Sequence, residues 1–312
     1  MPTTTTKITR REFVSSSAAA AVLGLLAPGY LLRAQQQTIV TNFTPLRRGT
    51  GHFTGRGGTI GWFIDKDALV VVDTQMPESA SACLAGLAER SPRDIDLLIN
   101  SHHHWDHTGG NGIFKPKSKR ILAHQNVPDL QKAAAERMKR LEGQAYATET
   151  YEKDWKESLG GETVRLRYWG PAHTGGDSII HFEKANVVHT GDLVFNRIAP
   201  VIDTAGGSSV SNWIVVLERM HKEFNDDTVF IFGHGSEAQG ITGNRKDVMA
   251  MHEYLSAQLA YVQQGVNEGK SEEEISSAES LKGFEVYSSG NLLERFRGGI
   301  RQTYAQVTSG GR

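Results

Sequence analysis

Hydrophobic positions form short runs, and these runs fall into two strand-rich regions separated by helical patterns. In the first region, between residues 38 and 73, the runs TIGWFI and ALVVVD are bounded by glycine and polar residues, which is typical of a β-meander. The remaining strand-like runs lie at 96–100 and 121–123, and then at 163–169, 178–183, 186–190 and 228–233 in the second region. The pattern therefore predicts two strand-rich halves within one chain.

Helical spacing connects these strands and dominates the C-terminal part. Pro77 begins a segment in which Leu84 and Leu87 share one side, and Cys83 is expected in the core as a small apolar residue. Further helices are predicted at 127–147, at 210–224 and over most of the chain after residue 245. We find no repeat of fixed period and no long linker.

We expect three parts along the chain: an export signal at 1–34, a main domain at 35–250, and a helical extension at 251–312 packed on the same domain. The first part has a basic start, a short apolar run and a small residue at its end, which is the layout of a secretory signal. Its stretch TRREFV resembles the twin-arginine export motif. Because the apolar run is about half of what a bilayer span requires, we expect a periplasmic or secreted protein without stable membrane insertion.

Charge and cysteine content exclude several classes of function. The chain has 34 basic and 35 acidic residues, and 30 and 34 remain without residues 1–34. Such a mildly acidic chain lacks the clustered Lys and Arg that counter phosphates, which argues against a nucleic-acid partner. The single cysteine permits neither an intramolecular disulfide nor a cysteine-rich zinc cluster. The candidate chemistry lies instead in the 12 histidines.

The sequence SHHHWDH follows a predicted strand directly and carries the densest set of candidate ligands. Because side chains alternate at a strand end, His102 and His104 can face one point while His103 faces away. Asp106 and His107, past the turn, can reach a second point nearby. Imidazoles and carboxylates suit Zn²⁺ and similar ions, and two such sites about 3.5–4 Å apart can hold a shared water as hydroxide.

These residues resemble the metallo-β-lactamase superfamily, whose motif at such a strand end is His-x-His-x-Asp-His. The other elements of that pattern follow in order, because PAHTGGD supplies His173, HTGDLVF supplies Asp192 and FGHG supplies His234. The resemblance spans roughly residues 38–249. It implies an α/β (α+β) fold, a four-layer αββα sandwich with a helical C-terminal extension.

The resemblance also implies two divalent ions, with Zn²⁺ as the first candidate and Fe or Mn as alternatives. The implied ligands are His102, His104 and His173 for the first ion, Asp106, His107 and His234 for the second, and Asp192 as a bridge between both. Asp73, at the end of the run VVVD, matches an acid that supports ligands without binding an ion. His189, on a predicted strand, is expected to support a ligand or to lie in the core.

The substrate pocket is less well defined by the sequence. Phe195 and Arg197, close after Asp192, are candidates for one wall, and Trp213 could lie near it or on the core face of its helix. His52, in a glycine-rich loop, could lie at the pocket edge. The remaining histidines lie in strand or helix patterns, which favours structural roles for His124, His181, His221 and His252.

The sequence predicts a dinuclear metal-dependent hydrolase that acts on a small ester, thioester, lactone or amide. Asp106 would bind the second ion, orient the bridging hydroxide and carry a proton to the leaving group. An Asp at position 192 resembles the thioesterases, lactonases and phosphodiesterases of the superfamily. Its β-lactamases carry Cys or Ser there, and several place a Lys at the position of Phe195.

Three alternatives stay open. The first is a β-lactam hydrolase, and the second is a mononuclear iron sulfur dioxygenase, whose motif is nearly the same. The third is a metal-binding accessory protein without catalysis. Metal content and a substrate panel distinguish them, since about two zinc ions per chain favour hydrolysis and one redox-active iron favours oxygen chemistry.

Overall fold

The computed structural model describes residues 40–310, so the predicted export signal at 1–34 lies outside the described residues and stays a prediction. The first sheet has seven strands in sequence order, with antiparallel pairs among the first four strands and parallel pairs after them. Its strands are β1 (Asn42–Pro45), β2 (Thr50–Thr54), β3 (Ile60–Ile64), β4 (Leu69–Val72), β5 (Leu97–Ile99), β6 (Ile121–His124) and β7 (Glu149–Tyr151).

The remaining strands are, in chain order, β8 (Asp154–Leu159), β9 (Glu162–Arg167), β10 (Ile179–Phe182), β11 (Val187–His189), β12 (Phe195–Asn196), β13 (Val229–Ile231), β14 (His234–Gly235) and β15 (Thr242–Gly243). Six of them form the second sheet in the order β15-β13-β11-β10-β9-β8, and a separate parallel pair joins β12 to β14. In this sheet β11 and β13 run parallel, and the other pairs are antiparallel.

The helices of the described residues are α1 (Pro77–Arg90), α2 (Trp105–Thr108), α3 (Asn111–Phe114), α4 (Val127–Met138), α5 (Val210–Glu223), α6 (Arg245–Asn267), α7 (Glu272–Ser276) and α8 (Leu293–Thr308). The start of α5 is fixed by Ser209, whose side chain accepts a hydrogen bond from the backbone of Asn212. Asn244 and Asp247 form a capping box at the start of α6. No helix within residues 40–310 is long and apolar enough to cross a bilayer.

The alternation of side chains along each strand divides the interior into three apolar layers. Val70 and Val72 of β4 face the second sheet, whereas Leu69 and Val71 face the other way, toward α1. On its far side the second sheet packs against α5, α6 and α8. The order is thus helix, sheet, sheet, helix, and the predicted α/β fold with C-terminal helices is confirmed.

The predicted helix at 127–147 is wrong in its second half, because α4 ends at Met138. Lys139 adopts a left-handed conformation with φ of 54°, and its backbone N–H bonds the carbonyls of Ala135 and Glu136. The buried face of α4 ends with Ala135, whereas Met138 is 54% exposed. A longer helix would therefore have no apolar surface to bury.

Candidate metal centre

The predicted ligands follow the ends of neighbouring strands and lie at one edge of the two sheets. Parallel pairs place β4 beside β5 and β11 beside β13, so the segments that leave these strands emerge together. The ligands are His102 and His104 after β5, Asp106 and His107 in α2, His173 between β9 and β10, Asp192 in the 3₁₀ turn Gly191–Leu193 after β11, and His234 in β14.

The first half of the centre consists of His102, His104 and His173. The Nε2 atom of His173 lies 3.0 Å from Nδ1 of His104 and 3.5 Å from Oδ2 of Asp192. The Nε2 atom of His102 lies 3.9 Å from the same carboxylate oxygen. Together with Asp192, these side chains offer ligand atoms that all lie within 4.8 Å of one another, which is the spacing that one bound ion requires.

The second half consists of Asp106, His107 and His234, whose ligand atoms also lie within 4.8 Å of one another. The Nε2 atom of His234 lies 3.1 Å from Oδ2 of Asp106 and 3.4 Å from Oδ2 of Asp192. The Nε2 atom of His107 lies 3.0 Å from Oδ1 of Asp192. Asp192 therefore contacts both halves, in the position that a bridging ligand would occupy.

Asp73 orients one histidine in each half. Its Oδ1 atom accepts from the backbone N–H of Ser101 at 2.7 Å, and its Oδ2 atom accepts from the Ser101 hydroxyl at 2.6 Å and from Nδ1 of His107 at 2.8 Å. Because the single hydroxyl hydrogen of Ser101 goes to Asp73, Ser101 Oγ accepts the Nδ1–H of His102 at 3.0 Å. Nδ1 of each ring is thus held by a partner, which leaves Nε2 to bind an ion.

The other two histidines of the first half are oriented in the same manner. His173 donates its Nδ1–H to the carbonyl of Val201 at 2.8 Å, which leaves Nε2 free. His104 donates its Nε2–H to Oδ2 of Asp203 at 2.9 Å, which leaves Nδ1 free. The three free nitrogens face one another. Hydrogen bonds thus decide which nitrogen of each imidazole remains free to bind an ion.

Asp203 is a supporting residue that the sequence reasoning missed. Its carboxylate accepts from His104 and lies 3.3 Å from Nε2 of His103, and it also accepts from the backbone N–H of Gly206. Burial raises the pKa of Asp203, but the hydrogen bonds of His103 and His104 hold that pKa well below its ordinary value. The ionised carboxylate is an effective acceptor for the ligand histidine beside it.

His189 lies beside the centre with both ring nitrogens occupied. Its Nε2 atom donates to the carbonyl of Thr59 at 3.0 Å, and its Nδ1 atom accepts from the backbone N–H of Gly191 at 3.1 Å. A histidine with both nitrogens bonded to protein has no lone pair for a metal. Its bond to Gly191 instead holds the turn that carries Asp192.

The two halves differ in the protonation that the metal-free protein favours. Burial, followed by the neighbouring histidines, lowers the pKa of His173 to about 3 and that of His102 well below its ordinary value. Burial acts in the same direction on His234, but Asp192 and Asp106 outweigh it and raise the pKa of His234 to about 9. The same two carboxylates raise the pKa of His107 well above its ordinary value.

The donor atoms present fit divalent cations. Among the described residues, Nε2 of His102 and Oδ1 of Asp192 are buried without a hydrogen-bond partner, which is costly unless another species binds them. Five imidazoles and two carboxylates are a donor set that suits zinc, iron or manganese. Buried atoms without partners that face this set are the expected consequence of a site shaped for ions.

The candidate ligands differ in their exposure to solvent. His107, His173 and Asp192 are buried, whereas the side chain of Asp106 is 27% exposed. Small molecules would therefore meet Asp106, His234 and His104, which are all partly exposed, before the deeper ligands.

The three residues predicted for the substrate pocket lie close to the centre in different roles. Phe195 and Trp213 are fully buried, and their rings lie 5.4 Å and 5.3 Å from the ring of His173. Trp213 also donates from Nε1 to the carbonyl of Leu193. Arg197 pairs with Oδ1 of Asp247 at 3.3 Å. Contact with a substrate stays a prediction for all three.

Comparison with known proteins places the chain among relatives with varied activities. It is 30% identical to the 2,4-dinitroanisole O-demethylase subunit alpha of Nocardioides sp. over 155 residues, which are 49% of this chain and 45% of that protein. It is 24% identical to the metallo-beta-lactamase IND-1 of Chryseobacterium indologenes over 55% of this chain and 70% of that protein. It is 32% identical to the cytoplasmic hydroxyacylglutathione hydrolase of Arabidopsis thaliana over 40% of this chain and 43% of that protein. The chain thus spans less than half the length of two of these relatives.

A solved structure shares the fold over most of the chain. The sec-alkylsulfatase Pisa1 from Pseudomonas sp. superposes with a TM-score of 0.67 at 16% identity, over 86% of this chain and 50% of that one. The family profile of the metallo-beta-lactamase superfamily matches residues 54–234, which contain all seven predicted metal ligands. The chain therefore belongs to the metallo-beta-lactamase superfamily.

Proposed function

We propose that the protein is a dinuclear metal-dependent hydrolase, with zinc as the first candidate, that cleaves a small ester, thioester, lactone or amide. One observation carries the proposal: hydrogen bonds to Asp73, Ser101, Asp203 and Val201 orient four ligand histidines so that their remaining nitrogens face the centre. Such orientation is required of metal ligands and is unnecessary for histidines that only fill a core.

The assignment of ligands follows from the two halves of the centre. His102, His104 and His173 would hold one ion, Asp106, His107 and His234 the other, and Asp192 both. Bound there, the ions would supply a nucleophile from water near neutral pH and would polarise the bond to be cleaved. The protein itself contributes the fixed positions of these ligands, held by the hydrogen bonds above.

Asp106 is the residue with a proposed catalytic role. Its carboxylate lies 3.1 Å from Nε2 of His234 and is partly exposed to solvent. Burial raises the pKa of Asp106, but His107 and then His234 together hold that pKa well below its ordinary value. The carboxylate is therefore ionised at neutral pH in the metal-free protein. As an acceptor it would orient the nucleophile, and it would take up a proton at Oδ2 only transiently, before releasing it to the leaving group.

The substrate class is proposed from the bridging position and from the relatives. Asp192 bridges the two halves, which resembles the thioesterases and lactonases more than the β-lactamases, and hydroxyacylglutathione hydrolase is among the similar proteins. The similarity to IND-1 over 70% of its length supports a β-lactam hydrolase as the second candidate. Phe195 at the position where several β-lactamases place a Lys argues against it as the main activity.

Elemental analysis combined with a substrate panel tests the proposal. We expect about two zinc ions per chain and hydrolysis of at least one ester, thioester, lactone or amide in the panel. One iron per chain with oxygen uptake would support the mononuclear sulfur dioxygenase instead. A fully metallated protein that hydrolyses no member of the panel, β-lactams included, would support an accessory metal-binding role.

We also propose export by the segment 1–34, which would place the substrate in the periplasm or outside the cell. Fractionation of cells that express the full chain tests this proposal. Replacement of Arg10 and Arg11 by Lys should retain the protein in the cytoplasm, and unchanged export in that variant would argue against the twin-arginine route.

A further inference from the structure

Arg295, on helix α8 of the C-terminal part, reaches the edge of the metal centre. Its guanidinium carbon lies 4.9 Å from the centroid of the Phe195 ring. The Phe195 ring is stacked on the imidazole of His234, with 5.3 Å between ring centroids and 9° between the planes. A cation is thus held one aromatic ring away from a predicted metal ligand, by a helix that lies outside the matched region 54–234.

Arg295 has no counter-ion within the part of the chain that the structure describes. It makes no hydrogen bond or ion pair with residues 40–310, and its Nε atom is buried without a partner. Two other arginines are paired, since Arg297 binds Oε1 of Glu294 at 3.1 Å and Arg197 binds Oδ1 of Asp247 at 3.3 Å. An unpaired and partly buried guanidinium is costly in free energy, so a partner for it is expected.

The charges around Arg295 indicate that it needs such a partner when metal ions are bound nearby. Burial lowers the pKa of Arg295, whereas the carboxylates of Asp192 and then Asp106 raise it, which places both carboxylates within electrostatic range of the guanidinium. In the metallated protein, those carboxylates would instead be balanced by cations. Arg295 would then be a positive group beside the candidate centre without an anionic partner among residues 40–310.

We propose that Arg295 binds an anionic group of the substrate, a carboxylate or a similar oxyanion, beside the bond to be cleaved. The inference rests on the proposed hydrolase and makes its substrate class more specific, an anionic rather than a neutral ester, thioester, lactone or amide. The planar guanidinium offers parallel N–H donors that match a carboxylate, and it lies against the Phe195 ring. Arg295 is therefore a specificity-determining residue rather than a metal ligand.

Binding of a simple probe tests the proposal without reference to turnover. Succinate binding to the metal-loaded protein is measured by calorimetry for the natural sequence, Arg295→Gln, Arg295→Lys and Arg301→Gln. Arg301 is the matched control, because it lies on the same helix and has no ion pair within residues 40–310. We expect about a 10- to 100-fold increase in the Kd of Arg295→Gln, a smaller increase for Arg295→Lys and no change for Arg301→Gln.

A pair of esters that differ at one end extends the test to catalysis. 4-Nitrophenyl hemisuccinate carries a carboxylate where 4-nitrophenyl butyrate carries a methyl group. Arg295→Gln should raise KM for the hemisuccinate by about 10- to 100-fold, with kcat nearly unchanged, and should change KM for the butyrate by less than about twofold. Metal content is measured for each variant, since a purely structural role for Arg295 would lower it.

The outcomes separate the two proposals. Equal succinate affinity in the natural sequence and in Arg295→Gln, or no succinate binding at all, would overturn the role of Arg295 even if esters are hydrolysed. Succinate binding that depends on Arg295 in a protein that hydrolyses no ester would support the anion site and count against the hydrolase. Equal loss of activity toward both esters would also overturn the inference.

Discussion

The two halves of the metal centre contain similar residues but differ in charge. The first half has three imidazoles and no carboxylate of its own, and burial with neighbouring histidines lowers the pKa of His173 to about 3. The second half includes Asp106, and there the carboxylates outweigh burial and raise the pKa of His234 to about 9. Asp192 lies 3.0 Å from Nε2 of His107 but 3.5 Å from the nearest histidine nitrogen of the first half.

The difference shows that the charges around a buried histidine, rather than burial alone, decide whether it is ready to bind a cation. At neutral pH the imidazoles of His102 and His173 in the first half are unprotonated and present lone pairs. In the second half the metal-free protein holds protons on His107 and His234, which an incoming ion must displace. We therefore expect the first half to fill before the second in a slightly acidic solution.

Removal of the carboxylate shared by both halves should have the largest effect. Asp192→Ala would remove a ligand from each half, so we expect less than the two ions per chain of the natural sequence and turnover lower by on the order of 100- to 1,000-fold. Elemental analysis and ester hydrolysis measure the two effects. Asp67→Ala, an exposed carboxylate on the surface, serves as the control. An unchanged metal content in Asp192→Ala would exclude Asp192 as a ligand.

A second effect should be a difference between the two halves in the pH dependence of their metal affinity. Because the pKa of His234 is raised to about 9 in the metal-free protein, a proton must leave when the second ion binds at lower pH. A second proton leaves His107, whose pKa is also raised, so we expect the affinity for this ion to rise about 100-fold per pH unit between pH 6 and 8, roughly 10,000-fold in all. The first ion should show a much weaker dependence, since the pKa of His173 is about 3.

Competition with a chelator at pH 6, 7 and 8 measures both affinities. The variant Asp106→Asn tests the contrast more directly. Loss of that negative charge should lower the pKa of His234, so the affinity for the second ion should depend less on pH. Parallel pH profiles for the two ions in the natural sequence would contradict the contrast between the halves.

Asp203 supports only the first half, so its replacement should affect one ion selectively. Asp203→Ala removes the acceptor that holds His104 at 2.9 Å, and we expect the affinity of the first ion to fall by about 10- to 100-fold. Asp203→Asn keeps an acceptor oxygen and should retain most of the affinity. The chelator competition measures both variants, and equal weakening of both ions would show that Asp203 acts through general stability instead.

The sequence predicted that these candidate ligands lie together, because ligand chemistry and strand ends constrain each other. His102, His104, Asp106 and His107 lie in one hexapeptide after a recognisable strand, and parallel pairing brings Asp192 and its neighbours to the same edge. The main apolar runs were predictable for a different reason, because the side chains of β3, β4, β10 and β13 alternate between two buried faces.

The supporting residues could not be predicted from local pattern. Asp203 lies in a loop without periodicity, and it contacts a histidine 99 positions away. Arg295 is one of several long polar side chains on α8, and the helical pattern does not indicate which of them reaches Phe195. The end of α4 was missed because Leu141 and its neighbours have good helix propensity, whereas the absence of a surface to cover is a tertiary effect.

The smallest expected effect concerns a histidine outside the centre. It tests whether burial lowers the pKa of a histidine that has no carboxylate beside it, as it does in the first half. His52 is buried in β2, where burial, then His189, lowers its pKa to about 4. As pH falls below about 6.5, the unfolded chain takes up a proton at His52 that the folded protein does not, so the free energy of unfolding falls with decreasing pH. Between pH 7.5 and 5, we expect the free energy of unfolding to fall by about 2 kcal/mol more in the natural sequence than in His52→Gln, which has no imidazole to protonate.

Urea denaturation of the metal-free protein at several pH values measures this effect. His181→Gln should behave similarly, because burial, followed by Arg167, lowers the pKa of His181 to about 4 as well. In both cases the difference in stability between the natural sequence and the variant should shrink steadily from pH 7.5 to 5. A difference that stays constant over this range would mean that these histidines gain protons equally in the folded and unfolded chain, and burial alone would then not explain the low pKa values in the first half of the centre.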